Sequence, residues 1–89
     1  MEFEALFKNY REQIDTLDKE LLYLFHRRFE IVKEIGKLKK ENSVETLQAD
    51  RWKKLLTENI LVGEELGLSE DFVIDIWERI HKESLKLEK

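Results

Sequence analysis

The chain has 89 residues, 42% hydrophobic and 40% charged, with a formal net charge of -4, no cysteine and no proline. That length suits one domain, and the apolar share excludes a disordered tail. The acidic balance argues against nucleic-acid binding, which needs a basic face, and the missing cysteines exclude a disulfide framework or thiolate chemistry.

The first 40 residues carry the strongest pattern. Phe3, Phe7, Tyr10, Ile14, Leu17, Leu21, Leu24, Arg28, Ile31, Ile35 and Leu38 follow one another at alternating steps of four and three. This is a heptad seam and predicts one long helix over about 3–40. At ~1.5 Å per residue it spans roughly 55 Å, whereas a globule of this chain length has a radius of gyration of only about 12 Å. The remainder of the chain is too short to wrap such a helix, so a second copy or another partner is expected.

One seam position, Arg28, is charged. A buried guanidinium is paired or binds an anion. Lys39 lies eleven residues on, at nearly the same helical angle and about 16 Å along the axis. Val32 and Ile35 lie between them, an apolar floor with a cation at each end that suits a small anion. The alternative is that Arg28 pairs with a carboxylate to fix a dimer's register and Lys39 is a solvated end. Gly36 in the helix interior costs about 1 kcal/mol relative to alanine, which suggests that something approaches closely there.

Residues 41–46 (ENSVET) read as a loop, with Asn42 in the left-handed C-terminal position and Thr46 as the next cap. A second helix follows over about 47–66, with Trp52, Leu55, Leu56, Ile60 and Val62 as its apolar stripe. Gly63 softens its last turn and Gly67 stops it. Ser69 caps a third helix over about 70–88, with Glu70 and Asp71 in the first turn, where the helix dipole favours acids. Leu68 and Val73 are spaced for a hydrophobic staple across that cap. Phe72, Val73, Ile76, Trp77, Ile80, Ser84 and Leu87 form its inner side. Ser84 and Glu88, four apart, share one face. The fold class is all-α: one long helix and two of about half its length, in a single domain over 1–89. A twofold helical bundle of two chains is the economical assembly.

His26 and His81 are too far apart in the chain to suggest a metal site. No apolar run of 18 residues exists, and the start MEFEALFK lacks a signal-peptide pattern. The expectation is a soluble cytoplasmic protein with neither a membrane nor a nucleic-acid partner.

The residues together resemble the small all-helical chorismate mutases. Arg11 to Asp18 (REQIDTLD), then Leu21, Leu22, Leu24 and Arg28, match that family's first-helix signature, and so does Val32 to Lys39 (VKEIGKLK). Arg51 with Leu55 and Leu56 matches the second helix, and Ser84 with Glu88 the end of the third. The resemblance implies rearrangement of chorismate, a small dicarboxylate, to prephenate on the shikimate route to aromatic amino acids. It implies no cofactor. Arg11 and Arg28 would grip the carboxylates, Lys39 and Glu88 would meet the ether oxygen, and Ser84 would support a carboxylate. Gln48 and Arg51 complete the implied substrate-binding set.

Helical geometry adds an independent constraint. Arg11 and Arg28 are 17 residues apart on one helix, about 25 Å and roughly 100° out of phase. Both reach one small ligand only if Arg11 comes from the other protomer. The resemblance likewise implies an intertwined homodimer with each site completed in trans.

Three positions depart from the family pattern, and a fourth, Glu88, varies within it. Trp52 replaces the usual acid after the second-helix arginine, and Gln48 replaces an aspartate. Glu88 stands where related members also show glutamine. His81 occupies a position where an apolar residue is commoner. An ionised Glu88 would repel a developing oxyanion, whereas a protonated one would donate to it, so activity is expected to fall with rising pH. The missing acid keeps open an isochorismate–pyruvate lyase on the same fold. A non-catalytic helical dimerisation module is the alternative from another class.

Overall fold

The computed structural model describes residues 2–89, and all regular structure among them is helical: α1 (Glu2–Glu41), α2 (Ala49–Glu65) and α3 (Glu70–Glu88). The all-α expectation holds. The chain divides into two units, Met1–Ile31 and Val32–Lys89.

The first unit is the N-terminal part of α1. Glu2 and Glu4 lie in its first turn, where the helix dipole favours them. Its apolar seam is uncovered in the single chain: the seven residues Phe3, Phe7, Tyr10, Ile14, Leu17, Leu21 and Leu24 are 48–65% exposed. Phe3 and Phe7 meet edge to face, with ring centroids 4.8 Å apart.

The second unit contains the end of α1 together with α2 and α3. After α1 the chain turns through a Schellman motif. The Val44 N–H donates to the Lys39 carbonyl at 2.8 Å and the Ser43 N–H to the Lys40 carbonyl at 3.4 Å. The left-handed residue is Ser43 (φ 55), not Asn42. Asn42 stands one place earlier, and its side-chain amide donates to the Leu38 carbonyl at 2.8 Å.

The second helix starts later than its sequence suggests. Its N-cap is Gln48 rather than Thr46, with extended backbone and no side-chain cap bond. The Trp52 N–H closes the first turn onto the Gln48 carbonyl at 3.1 Å. Thr46 is engaged elsewhere, because its carbonyl accepts from Lys39 Nζ at 2.6 Å. That bond ties the loop back to α1 and delays the helix.

The α2–α3 turn follows its sequence closely. The Leu68 N–H reaches the Gly63 carbonyl at 2.8 Å and the Gly67 N–H the Glu64 carbonyl at 3.1 Å. Gly67 takes the left-handed conformation at φ +77. Ser69 Oγ then accepts from the Phe72 N–H at 3.2 Å, a working N-cap.

The core of the described residues is a stripe on α3. Val73 and Ile80 are its buried apolar members, and Ser84 and Glu88 its buried polar ones. These positions advance by seven, four and four, so they share one face. Gly63 on α2 packs against Val73: a methyl group on it would lie 2.7 Å from Val73 Cγ2. Phe72, expected on the inner side, is 53% exposed. It neighbours Val73 in the chain and so points about 100° away from the stripe.

Candidate functional site

Lys39 sits in the last turn of α1 and Glu88 in the last turn of α3. The fold brings these residues, 49 apart in sequence, to an ion pair: Lys39 Nζ donates to Glu88 Oε1 at 2.6 Å. Both are withdrawn from solvent, with side chains 15% and 9% exposed. Burial of a charge is tolerated when it is paired and hydrogen-bonded, and Lys39 has both its carboxylate and the Thr46 carbonyl at 2.6 Å. An ammonium carries three N–H donors. Two are committed here, to Glu88 and to the Thr46 carbonyl.

Ser84, one turn before Glu88 on the buried face, donates its hydroxyl to the Ile80 carbonyl of its own helix at 2.8 Å. A small residue permits the approach of Lys39 to Glu88. Gly36, one turn before Lys39, is buried. A methyl group there would lie 2.7 Å from Glu88 Cα and 2.8 Å from its carbonyl oxygen. The close approach that an interior glycine suggested is therefore the backbone of α3.

The other expected site residues stand as follows. Gln48 caps α2, and Arg51 lies exposed in that helix's first turn. Neither makes a hydrogen bond or ion pair with Lys39 or Glu88. In the first unit, Arg28 is half-buried. Arg11 is exposed, and its guanidinium lies over the Phe7 ring, 5.4 Å from the centroid. At an exposed position such a cation–π contact contributes about 0.5–1 kcal/mol, little enough for a ligand to displace it.

Trp52 has a partner that sequence reasoning missed. Its ring stacks on His81 of α3, with centroids 4.0 Å apart and planes inclined by 12°. The side chain is half-buried and joins α2 to α3. The only signal in the sequence was that both positions depart from the family pattern. Among the described residues, no cluster of three or more His, Cys, Asp or Glu is arranged to hold a metal ion, and no helix is long and apolar enough to cross a membrane.

Comparison with known proteins shows the family of the chain. Residues 10–89 match the family described as chorismate mutase type II. The T-protein of Haemophilus influenzae is 34% identical over 84 residues, covering 94% of this chain and 22% of that protein. A T-protein of Enterobacter agglomerans is 34% identical over 74 residues, covering 83% of this chain and 20% of that one. The bifunctional chorismate mutase/prephenate dehydratase of Buchnera aphidicola is 28% identical over 80 residues, 90% of this chain and 21% of the relative. The chain thus spans about a fifth of the length of these relatives. No solved structure gives a significant match. With a match over residues 10–89 and an all-α fold, the chain belongs to the chorismate mutase type II family.

Proposed function

We propose that this chain is a chorismate mutase, converting chorismate to prephenate in a single domain over 1–89. The observation that carries the reading is the withdrawn Lys39–Glu88 pair, with one lysine N–H uncommitted. The rearrangement is intramolecular: a carbon–carbon bond forms while an ether bond breaks. No nucleophile or cofactor takes part. Catalysis consists of holding the compact conformer and neutralising charge on the departing ether oxygen. Lys39 presents its third N–H to that oxygen. Glu88 holds Lys39 in place at that oxygen through their ion pair. Arg28 and Arg11 bind the two substrate carboxylates, with Ser84, Arg51 and Gln48 completing the binding set.

The acting species is a homodimer in which Arg11 is supplied by the partner. Support comes from the seam of large apolar residues left 48–65% exposed in the single chain. Monomeric soluble proteins rarely expose so long a contiguous apolar surface. The protein acts in the cytoplasm.

A direct assay tests the reaction. Purified protein is expected to consume chorismate and release prephenate, and to leave isochorismate intact. Consumption of isochorismate with release of pyruvate would assign the lyase instead. Failure of a dicarboxylate transition-state mimic to raise the melting temperature would favour the dimerisation module, since only a binder is stabilised by ligand.

A further inference from the structure

The mechanism gives Gly36 no task, yet its surroundings are specific. Glycine is a poor choice inside a helix, and Gly36 lies five residues before the end of α1. The space its side chain would fill is taken by main chain. A methyl group there would stand 2.7 Å from Glu88 Cα, 2.8 Å from its carbonyl oxygen and 3.2 Å from its carbonyl carbon. A flexible side-chain tip would swing aside, but a helix backbone has to retreat as a body. Restoring ordinary carbon–carbon contact requires a shift of roughly 1 Å. Lys39 does not follow easily, because the Thr46 carbonyl holds its ammonium from the loop side at 2.6 Å.

We propose that Gly36 is a positioning residue for the reaction: its missing side chain sets how deeply α3 docks on α1, and thereby the contact of Glu88 with Lys39. The inference rests on the assignment of Lys39 and Glu88 to the site made above. Misplacement of a reacting group by about 1 Å costs up to ~100-fold in rate.

Gly63 provides the contrast. It too admits a close neighbour, but that neighbour is the side-chain tip of Val73, about 22 Å along α3 from Glu88 at ~1.5 Å per residue. Gly63→Ala is expected to lower the melting temperature while leaving turnover within about twofold, because it loosens packing without moving the pair.

Two measurements test the role. The first is thermal melting of Gly36→Ala in the full chain and in a chain ending at Leu87, each against its own parent. In the full chain the substitution should lower the melting temperature. In the shortened chain the three nearest atoms to the methyl are gone, and alanine's better helix propensity should raise it by a few degrees. A lower melting temperature in both chains overturns the proposal. If Gly36→Ala does not fold in the full chain, folding of its shortened version supports the proposal and failure of both overturns it.

The second measurement is a kinetic cycle with Glu88→Ala. Gly36→Ala should lower kcat by about 10- to 100-fold, with KM within about threefold. In the Glu88→Ala background it should add no more than about twofold, because the two changes act through one contact. Equal losses in both backgrounds would overturn the role. Lys39→Ala is measured alongside. If it leaves kcat intact, the site assignment fails, while the melting comparison still reports whether Gly36 places Glu88.

Discussion

In the proposed reaction, the contact of Lys39 with Glu88 would serve both structure and chemistry. Their pairing at 2.6 Å satisfies two charges that are largely out of water, and removing either alone leaves the other uncompensated. Lys39→Ala should therefore lose stability as well as activity, and turnover must be compared per folded chain below each melting temperature. On that basis kcat is expected to fall by at least ~100-fold, the scale of losing one preorganised donor. Lys39→Arg should rescue poorly, since a planar fork does not reproduce a compact ammonium. Near-normal turnover in Lys39→Ala would return the residue to a purely structural role.

At the scale of the helices, local signals were legible and long-range ones were not. The heptad steps from Phe3 to Leu38 announce α1, and Ser69 and Gly67 bracket the start of α3 where they stand. These features depend on backbone geometry within a few residues. The start of α2 depends instead on Lys39, seven residues before Thr46, drawing that carbonyl to itself. Without that competition Thr46 is the better cap by type. The one-place slip from Asn42 to Ser43 has a similar origin: two adjacent polar residues both tolerate the turn, and the bond from the Asn42 amide to Leu38 fixes which of them continues the helix. Gly36 and Lys39 stood out in the sequence, but their common partner Glu88 is 49 residues beyond Lys39 and no local rule reaches that far. The Trp52–His81 stack is legible only as a pair of departures from the family pattern. Its geometry turns an ambiguity about Trp52 into a prediction. A half-buried ring stacked across α2 and α3 contributes packing as well as aromatic contact. Trp52→Glu should thus destabilise the chain by about 2 kcal/mol. We expect no fall in KM to accompany that loss. A melt and a Michaelis curve on the same preparation decide: a stable variant with lower KM would assign Trp52 to the substrate instead.

At the scale of the molecule, the exposed seam and the two arginines lead to the same assembly by independent routes. The buried apolar core among the described residues of the single chain amounts to Val73 and Ile80, which is meagre for 89 residues, and small domains of this kind gain stability by association. A heptad seam is the surface most readily buried by a second copy of itself. Separately, Arg11 and Arg28 share one helix at a spacing of 17 residues, about 25 Å at ~1.5 Å per residue, so one chain cannot bring both to one small dianion. In the proposed dimer, exchange of protomers would resolve both problems, because it would cover the seam and deliver Arg11 to the partner's site. The consequence is measurable by complementation. Arg11→Ala and Arg28→Ala should each be nearly inactive as homodimers, with every site lacking one carboxylate anchor. In a hybrid of the two, one site combines the intact Arg28 of the first chain with the intact Arg11 of the second, and the other site carries both defects. Random exchange makes half the dimers hybrid with one working site in two, so about a quarter of wild-type activity should return in this twofold assembly. Mixing after mild denaturation, with exchange verified by differently tagged chains, provides the measurement. Absence of recovery once hybrids are demonstrated would mean that each site draws all its residues from one chain.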